Sequence, residues 1–214
     1  MTDAIILHAR LRLPLSCPAW QEPLLQALPY AQRLELERRE PESRRASLAG
    51  LGLVLVGAAR VTQREFPPQA FSFPSAGKPR LAGGPYFSIS HSSSAVTCIV
   101  CADTDCGIDI EDRPDLAESA TVAKLQRWTA TEAALKAAGL GLRATGEVAL
   151  AARLGHAIVR GQRYELQSLD YMPDVIGHIA AGKKLTPNIA SLELDDARTS
   201  ALLERSLGLA AQIE

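Results

Sequence analysis

The stretch Cys106-Gly107-Ile108-Asp109-Ile110-Glu111 alternates apolar and acidic residues with a period of two. Successive side chains of a β-strand point to opposite faces, so this period predicts a strand with its two acids on one face and its isoleucines on the other. Two neighbouring carboxylates repel unless a cation joins them or one is protonated. Asp109 and Glu111 are therefore candidate ligands of a hard divalent cation, Mg²⁺ above all. An ordinary half-exposed strand with acidic outer positions explains the alternation equally well.

A helix is predicted downstream, over residues 128–138, because this stretch is rich in helix formers and stops at Gly139. Within it, Glu132 and Lys136 are four residues apart and lie on one face. A carboxylate that binds metal and an ammonium that binds phosphate would then point into one site. Two other interpretations stay open, namely a surface ion pair and a capping box in which Thr129 and Glu132 serve the start of the helix.

Upstream, residues 86–90 alternate in the manner of a strand that turns Ser88 and Ser90 away from the core. His91 follows at the strand end and titrates near neutrality, so it is suited to contact a phosphate or a proton, although a lone histidine is more often structural. Lys78 precedes Pro79, which holds the lysine backbone extended. Such a lysine is either aimed at a ligand or simply solvated.

Four motifs in this order resemble the signature of the Sfp-type 4'-phosphopantetheinyl transferase family. One such motif would be weak, whereas four in the same order are specific, and they cover about the middle third of the chain. The motifs are Gly77-Lys78-Pro79, Phe87-Ser88-Ile89-Ser90-His91-Ser92, Gly107-Ile108-Asp109-Ile110-Glu111, and Trp128 with Glu132-Ala133 and Lys136.

The resemblance implies Mg²⁺-dependent transfer of 4'-phosphopantetheine from coenzyme A to a serine of an acyl or peptidyl carrier protein. It implies that Asp109, Glu111 and Glu132 hold the metal. It assigns catalytic roles to Lys136, to His91 and to Glu132, which acts either chiefly as the base or chiefly as a metal ligand, since a coordinated carboxylate is a weaker base. The coenzyme-contacting residues that it implies are Lys78, Pro79, Ser90, His91, Lys136 and Arg45. A Mg²⁺-dependent phosphohydrolase and a non-catalytic carrier-binding module are the alternatives.

The sequence departs from the family pattern in two places. Thr131 stands where many members have a lysine directly before the metal-site glutamate, which removes one expected phosphate contact. The connection from Glu111 to Trp128 is also short and lacks paired aromatic residues. Because that connection usually helps to dock the carrier, the choice of carrier is not predicted.

Composition excludes several classes of function. The formal net charge is −1 and no block of like charge occurs, which disfavours a nucleic-acid binder. No apolar run long enough to span a bilayer and no signal-peptide pattern stand out, so a cytoplasmic protein is expected. The four cysteines, Cys17, Cys98, Cys101 and Cys106, are predicted to be reduced packing thiols, since Cys98 and Cys101 would face opposite sides of one strand.

The order of elements predicts an α+β fold. Strands are expected over residues 4–13, 86–90, 95–102, 107–111, 157–159, 164–169, 175–181 and 189–194, and helices over 31–40, 42–62, 118–138 and 197–211. Strands 86–90, 95–102 and 107–111 read as a meander. The glycines Gly50, Gly52 and Gly57 fit close helix packing rather than a dinucleotide fingerprint.

Helix followed by strands occurs twice, which suggests an N-terminal subdomain over 1–102 and a C-terminal subdomain over 103–214 that carries the metal site. The family resemblance implies that a pseudo-twofold axis relates the halves, with the active site at their interface. Smaller relatives of the AcpS type reach a similar architecture by oligomerising, so a monomer is expected.

Overall fold

Two main β-sheets and two long helices build the mixed α/β fold of the computed structural model, which describes residues 3–11, 19–74, 78–114, 118–194 and 197–206. The helices are α1 (Gln21–Ala27), α2 (Tyr30–Glu37), α3 (Pro41–Thr62), α4 (Ser119–Ala137) and α5 (Ala197–Ser206). The strands are β1 (Ala4–Arg10), β2 (Phe71–Ser72), β3 (Arg80–Leu81), β4 (Tyr86–His91), β5 (Ala95–Cys101), β6 (Cys106–Asp112), β7 (Val148–Leu150), β8 (His156–Val159), β9 (Gln162–Leu169), β10 (Val175–Ala181) and β11 (Asn188–Ser191). Two 3-10 helices, Pro68–Ala70 and Leu142–Glu147, complete the list.

The strands and helices expected from periodicity are confirmed within a few residues of their predicted ends. Residues 12–13 of the first expected strand and 207–211 of the last expected helix lie outside the described part of the chain. Between Phe66 and Leu81, the described residues form a 3-10 turn and the short hairpin of β2 and β3.

The first main sheet has the order β11-β1-β5-β4. Strand β5 pairs antiparallel with β4 on one side and with β1 on the other, and β11 joins β1 in parallel. The last strand of the chain thus returns to the sheet that the first strand helps to form. Helix α5 follows it there, because Leu203 packs in the core between this sheet and α3.

The second main sheet has the order β6-β10-β9-β8-β7, and all its described pairs are antiparallel. The meander expected for β4, β5 and β6 is therefore wrong at its third strand. Strand β1 already occupies the free edge of β5, so β6 pairs with β10 instead.

Helix α3 lies on the outer face of the first sheet. A Cβ atom at Gly50 would come within 2.5 Å of Ile89, and one at Gly57 within 2.8 Å of Val100. These glycines allow the helix to approach the sheet closely, as the sequence predicted.

Helix α4 approaches the second sheet still more closely. At Gly107 a Cβ atom would lie 1.9 Å from the carbonyl oxygen of Ala133 and 2.6 Å from the amide nitrogen of Ala137. Only glycine fits there, since the obstacle is helix backbone. The small side chains of α4, among them Ala130, Ala133, Ala134 and Ala137, are fully or almost fully buried.

The inner faces of the two sheets pack against each other. Alternate residues of β1 and β5, such as Ile6 and Ile99, form one buried cluster with Ile108 of β6 and Ile179 of β10. The layers therefore follow the order α3, first sheet, second sheet, α4.

A row of serine hydroxyls joins the two sheets at one edge. Ser88 and Ser90 of β4 accept hydrogen bonds from the backbone amides of Ile108 and Ile110 of β6, each at 3.2 Å. These amides lie on the edge of β6 away from β10 and would otherwise be buried without an acceptor. The serines thus replace part of a backbone ladder and set the two strands side by side.

Helix α3 contains a window long and apolar enough to cross a membrane, with a mean hydropathy of 1.3, so the expectation that the chain has no such run is wrong. In the fold, 72% of that window is buried against the rest of the protein. Packing in the core of the first layer therefore explains the apolar residues of this helix.

Candidate active site

The candidate site lies where the two sheets meet, beside the C-terminal half of α4. Strand β6 contributes Asp109 and Glu111, α4 contributes Glu132 and Lys136, and β4 contributes Ser90. The structure brings these five sequence-predicted residues together because Gly107 lets α4 lie directly on β6.

Asp109 is the most buried of these acids, with 3% of its surface exposed. Its Oδ1 atom accepts hydrogen bonds from Ser90 Oγ at 2.9 Å and from Lys136 Nζ at 2.5 Å. Lys136 also donates to the carbonyl oxygen of Ile108 at 3.2 Å. The other carboxylate atom, Oδ2, is buried without a hydrogen-bond partner among the described residues. One oxygen of Asp109 is therefore neutralised, and the other is available to a further cation or proton.

Glu132 lies beside this ion pair, with its Oε2 atom 3.9 Å from Lys136 Nζ. Burial, and then the negative charge of Asp109, raise the pKa of Glu132 to about 7. A carboxylate with this pKa takes up and releases protons at neutral pH, which is what a general base requires.

Glu111 lies on the same face of β6 as Asp109, as the alternation predicted. Burial and the charge of Asp109 raise its pKa, while the indole of Trp128 donates a hydrogen bond to Glu111 Oε1 at 3.3 Å and opposes that shift. Trp128 itself is 39% exposed at the rim of the site. The acids thus form a crowded anionic group whose members disfavour one another's charged forms.

The described residues contain no ready-made group of three or more His, Cys, Asp or Glu side chains around a common metal position. Carboxylate oxygens are nevertheless the ligand type that Mg²⁺ prefers, and the Oδ2 atom of Asp109 lacks a hydrogen-bond partner among the described residues. The ammonium of Lys136 neutralises Asp109 in the structure as it stands. Asp109, Glu111 and Glu132 thus fit a divalent cation by ligand type.

A chain of three adjoining cavities borders this site. Cavities of about 610 and 220 Å³ share Lys78 and Pro79 in their lining, and the second also touches Lys136. A third, of about 320 Å³, shares Pro79 and Ile89 with the second and extends to His91. Three sequence-predicted residues outside the acid group, Lys78, Pro79 and His91, therefore line this row of adjoining cavities, which we call the cleft.

Lys78 lines the first two cavities, and neighbouring protein groups hold its ammonium. Its Nζ atom donates to the carbonyl oxygen of Cys106 at 2.5 Å and lies 3.9 Å from Asp105. Gly77 of the same motif lies outside the described residues.

His91 meets a cationic neighbour that the sequence analysis missed. Partial burial lowers the pKa of His91, Lys136 lowers it further, and Arg39 contributes a smaller effect in the same direction. Arg39 lies just after α2 and lines the third cavity with His91. No local pattern marks Arg39, because only the packing of α2 beside the end of β4 brings it there.

Arg45 is half-buried in the first part of α3, and the described cavities along the cleft do not include it in their lining. Thr131 is half-buried and donates a hydrogen bond back to the carbonyl oxygen of Arg127 at 2.8 Å. Neither Arg45 nor Thr131 belongs to the group of residues described around Asp109.

The capping-box interpretation of Thr129 and Glu132 is wrong, because α4 begins ten residues earlier, at Ser119. Thr129 is buried in the middle of the helix, where its hydroxyl lies 3.0 Å from the carbonyl oxygen of Leu125 and 2.8 Å from His178 Nδ1. Glu132 is therefore free of a capping role and lies beside Lys136, which lines the second cavity.

The turn after His91 is fixed by a carboxylate that the sequence analysis did not single out. Asp112 accepts hydrogen bonds from the hydroxyls of Ser92, Ser93 and Ser94 and from the amide of Ser93. Burial alone would raise the pKa of Asp112, but these bonds lower it to about 2. Asp112 thus ties the end of β4 to β6 beside the cleft.

The cysteines of the described chain are Cys98, Cys101 and Cys106, and all are free thiols buried in the core, as expected. Cys17 lies outside the described residues. Their burial agrees with packing rather than metal binding.

Comparison with known proteins adds no family to this geometry: no protein-family model matches the chain, and no curated protein sequence is similar to it.

Proposed function

We propose that the protein transfers 4'-phosphopantetheine from coenzyme A to a serine of an acyl or peptidyl carrier protein. The observation that carries the proposal is the meeting of Asp109, Glu132 and Lys136 beside adjoining cavities lined by Lys78 and His91. Such a cleft suits a diphosphate, since cations line it and an acid group that fits Mg²⁺ lies at its side.

The transfer breaks one phosphorus–oxygen bond and makes another. The serine oxygen of the carrier attacks the phosphorus attached to the pantetheine arm, and adenosine 3',5'-bisphosphate leaves with the electrons of the broken bond. Glu132 accepts the serine proton. Lys136, Lys78 and His91 hold phosphate oxygens and stabilise the negative charge that builds up on them.

Mg²⁺ is the cofactor of this proposal, and Asp109, Glu111 and Glu132 are the residues that would hold it. When bound, it would neutralise the diphosphate and the crowded carboxylates at once. Ser90 orients Asp109 through its hydroxyl. Arg39 joins Arg45 as a candidate contact for the nucleotide part of coenzyme A, because it lines the His91 cavity.

The layered fold is compatible with two halves related by a pseudo-twofold axis, each a long helix on a sheet, with the cleft between them. We place the boundary near residue 102, with β11 and α5 returning to the first half. A monomeric, cytoplasmic enzyme follows from the same proposal.

The test is incubation of the protein with coenzyme A, Mg²⁺ and apo-carrier proteins, read by mass spectrometry of the carrier. One added phosphopantetheine is expected. The Asp109→Ala variant should lose turnover while keeping its circular dichroism spectrum, whereas Asp103→Ala, which removes an exposed acid paired with Lys183, should not.

No mass gain across fatty-acid, polyketide and peptide carriers would overturn the transferase. Release of phosphopantetheine or phosphate without any carrier would support a phosphohydrolase instead. Carrier binding without Mg²⁺-dependent binding of coenzyme A would support a non-catalytic carrier-binding module.

A further inference from the structure

A second polar cavity, of about 650 Å³, lies on the second sheet apart from the cleft. None of the residues that line it borders the three cavities of the cleft. The residues that matter here are Gln126, Arg153, Glu165, Ser168, His178 and Lys184. We call it the β9 cavity.

The β9 cavity forms because β8 covers only part of β9. Strand β8 pairs with residues 162–165, whereas β10 pairs with residues 165–169 on the opposite edge. Leu166 still donates its amide to Gly155 on the β8 side, at 3.1 Å. Backbone groups alternate in direction along a strand, so the amide of Ser168 points to this same open side. The cavity therefore has a backbone donor at its wall.

The charges at the cavity are mainly positive. Glu165 is paired with Arg163 at 2.7 Å, so its negative charge already has a partner. Lys184 affects Glu165 electrostatically without an ion-pair contact. Within the described ranges, neither Arg153 nor Lys184 has a carboxylate at ion-pair distance. The cavity thus offers two cations to an incoming anion.

His178 supplies a neutral acceptor at the same cavity, although it is only 3% exposed. A threonine inside a helix commonly donates its hydroxyl to the carbonyl four residues back, and Thr129 is 3.0 Å from that of Leu125. The Thr129 oxygen then accepts the proton of His178 Nδ1, at 2.8 Å. With Nδ1 donating to Thr129, a neutral imidazole presents Nε2 as an acceptor.

We propose that the β9 cavity binds a small oxyanion that also carries an O–H group, with hydrogen phosphate as the simplest member of the class. Arg153 and Lys184 attract the charge, and His178 Nε2 accepts the O–H proton. Sulfate has the same shape and no O–H group at neutral pH, so it satisfies the cations and leaves the histidine unpaired. The inference does not depend on the function proposed for the cleft.

The test is a titration of the isotope-labelled protein with phosphate and with sulfate, followed by NMR. Phosphate should shift the amides of Gly155 and Ser168, and sulfate should bind there more weakly. Lys184→Ala should weaken phosphate binding about tenfold, the loss expected from one charge-assisted contact of about 1.4 kcal/mol. Lys183→Ala is the matched control, because the neighbouring lysine is paired with Asp103 and lies outside the cavity.

Thr129→Val tests the role of the histidine separately. The change keeps the shape of the side chain but removes the acceptor for Nδ1, so the preference for phosphate over sulfate should shrink while Lys184 keeps its effect. Phosphate that shifts only amides around Lys78 and His91 would overturn the proposal. Equal binding of phosphate and sulfate by the wild type, or equal effects of the two lysine variants, would overturn it as well.

Discussion

Removing the charge of Glu132 should stabilise the protein at alkaline pH. The folded protein raises the pKa of Glu132 from 4.5 to about 7. At about 1.4 kcal/mol per pKa unit, holding this group ionised costs the folded state about 3 kcal/mol. We therefore expect Glu132→Gln to raise the free energy of unfolding by about 2–3 kcal/mol at pH 8, although the same change removes the proposed general base.

The sign of the pH dependence follows from proton binding. Between pH 4.5 and 7 the folded protein binds more protons at Glu132 than the unfolded chain does, so stability falls as the pH rises through this window. Above about pH 7 the penalty is complete. At pH 5 most of it is absent, so the gain from Glu132→Gln should be less than about 1 kcal/mol there.

Urea unfolding at pH 5 and pH 8 measures both values. Glu147→Gln serves as the matched control, since Glu147 is an exposed glutamate whose pKa is lowered by its bond to Arg160, and its loss should bring no gain at pH 8. An equal gain from Glu132→Gln at both pH values, or no gain at pH 8, would refute the electrostatic account of this site.

Three further predictions concern the contacts that β6 makes with β4 and with α4. Asp112→Asn should lower the free energy of unfolding by about 1 kcal/mol near neutral pH. The lowered pKa of Asp112 contributes stability that is present above pH 3.8 and disappears as the pH falls towards 2. Urea titrations at pH 7 and pH 3 check this, and an equal loss of stability at both pH values would contradict it. Ser88→Ala should lower the free energy of unfolding by about 1–3 kcal/mol and speed hydrogen exchange at the amide of Ile108, which loses its acceptor. Unchanged exchange would mean that the hydrogen bonds from β6 to the serines of β4 contribute little. Gly107→Ala should lower the free energy of unfolding, measured by heat or urea, by about 3 kcal/mol or more, because the new methyl group would overlap the backbone of α4. Gly141→Ala should be nearly neutral, because nothing lies within 4 Å of its added Cβ atom. Similar behaviour of the two variants would count against the close contact between Gly107 and α4.

The sequence by itself determined the elements and several faces of the site. Strict alternation in residues 106–111 placed Asp109 and Glu111 on one face of a strand, and the i, i+4 spacing of Glu132 and Lys136 placed them on one face of a helix. These relations depend only on the geometry of consecutive residues, which is why a single chain reveals them.

The tertiary structure alone decided how those faces meet. In the folded protein Lys136 contacts Asp109 as well as Glu132, and Arg39 lines the same cavity as His91. Strand β6 pairs with β10 instead of β5. Each of these outcomes depends on competition between distant segments for the same edge or the same buried charge, and local periodicity carries no information about that competition.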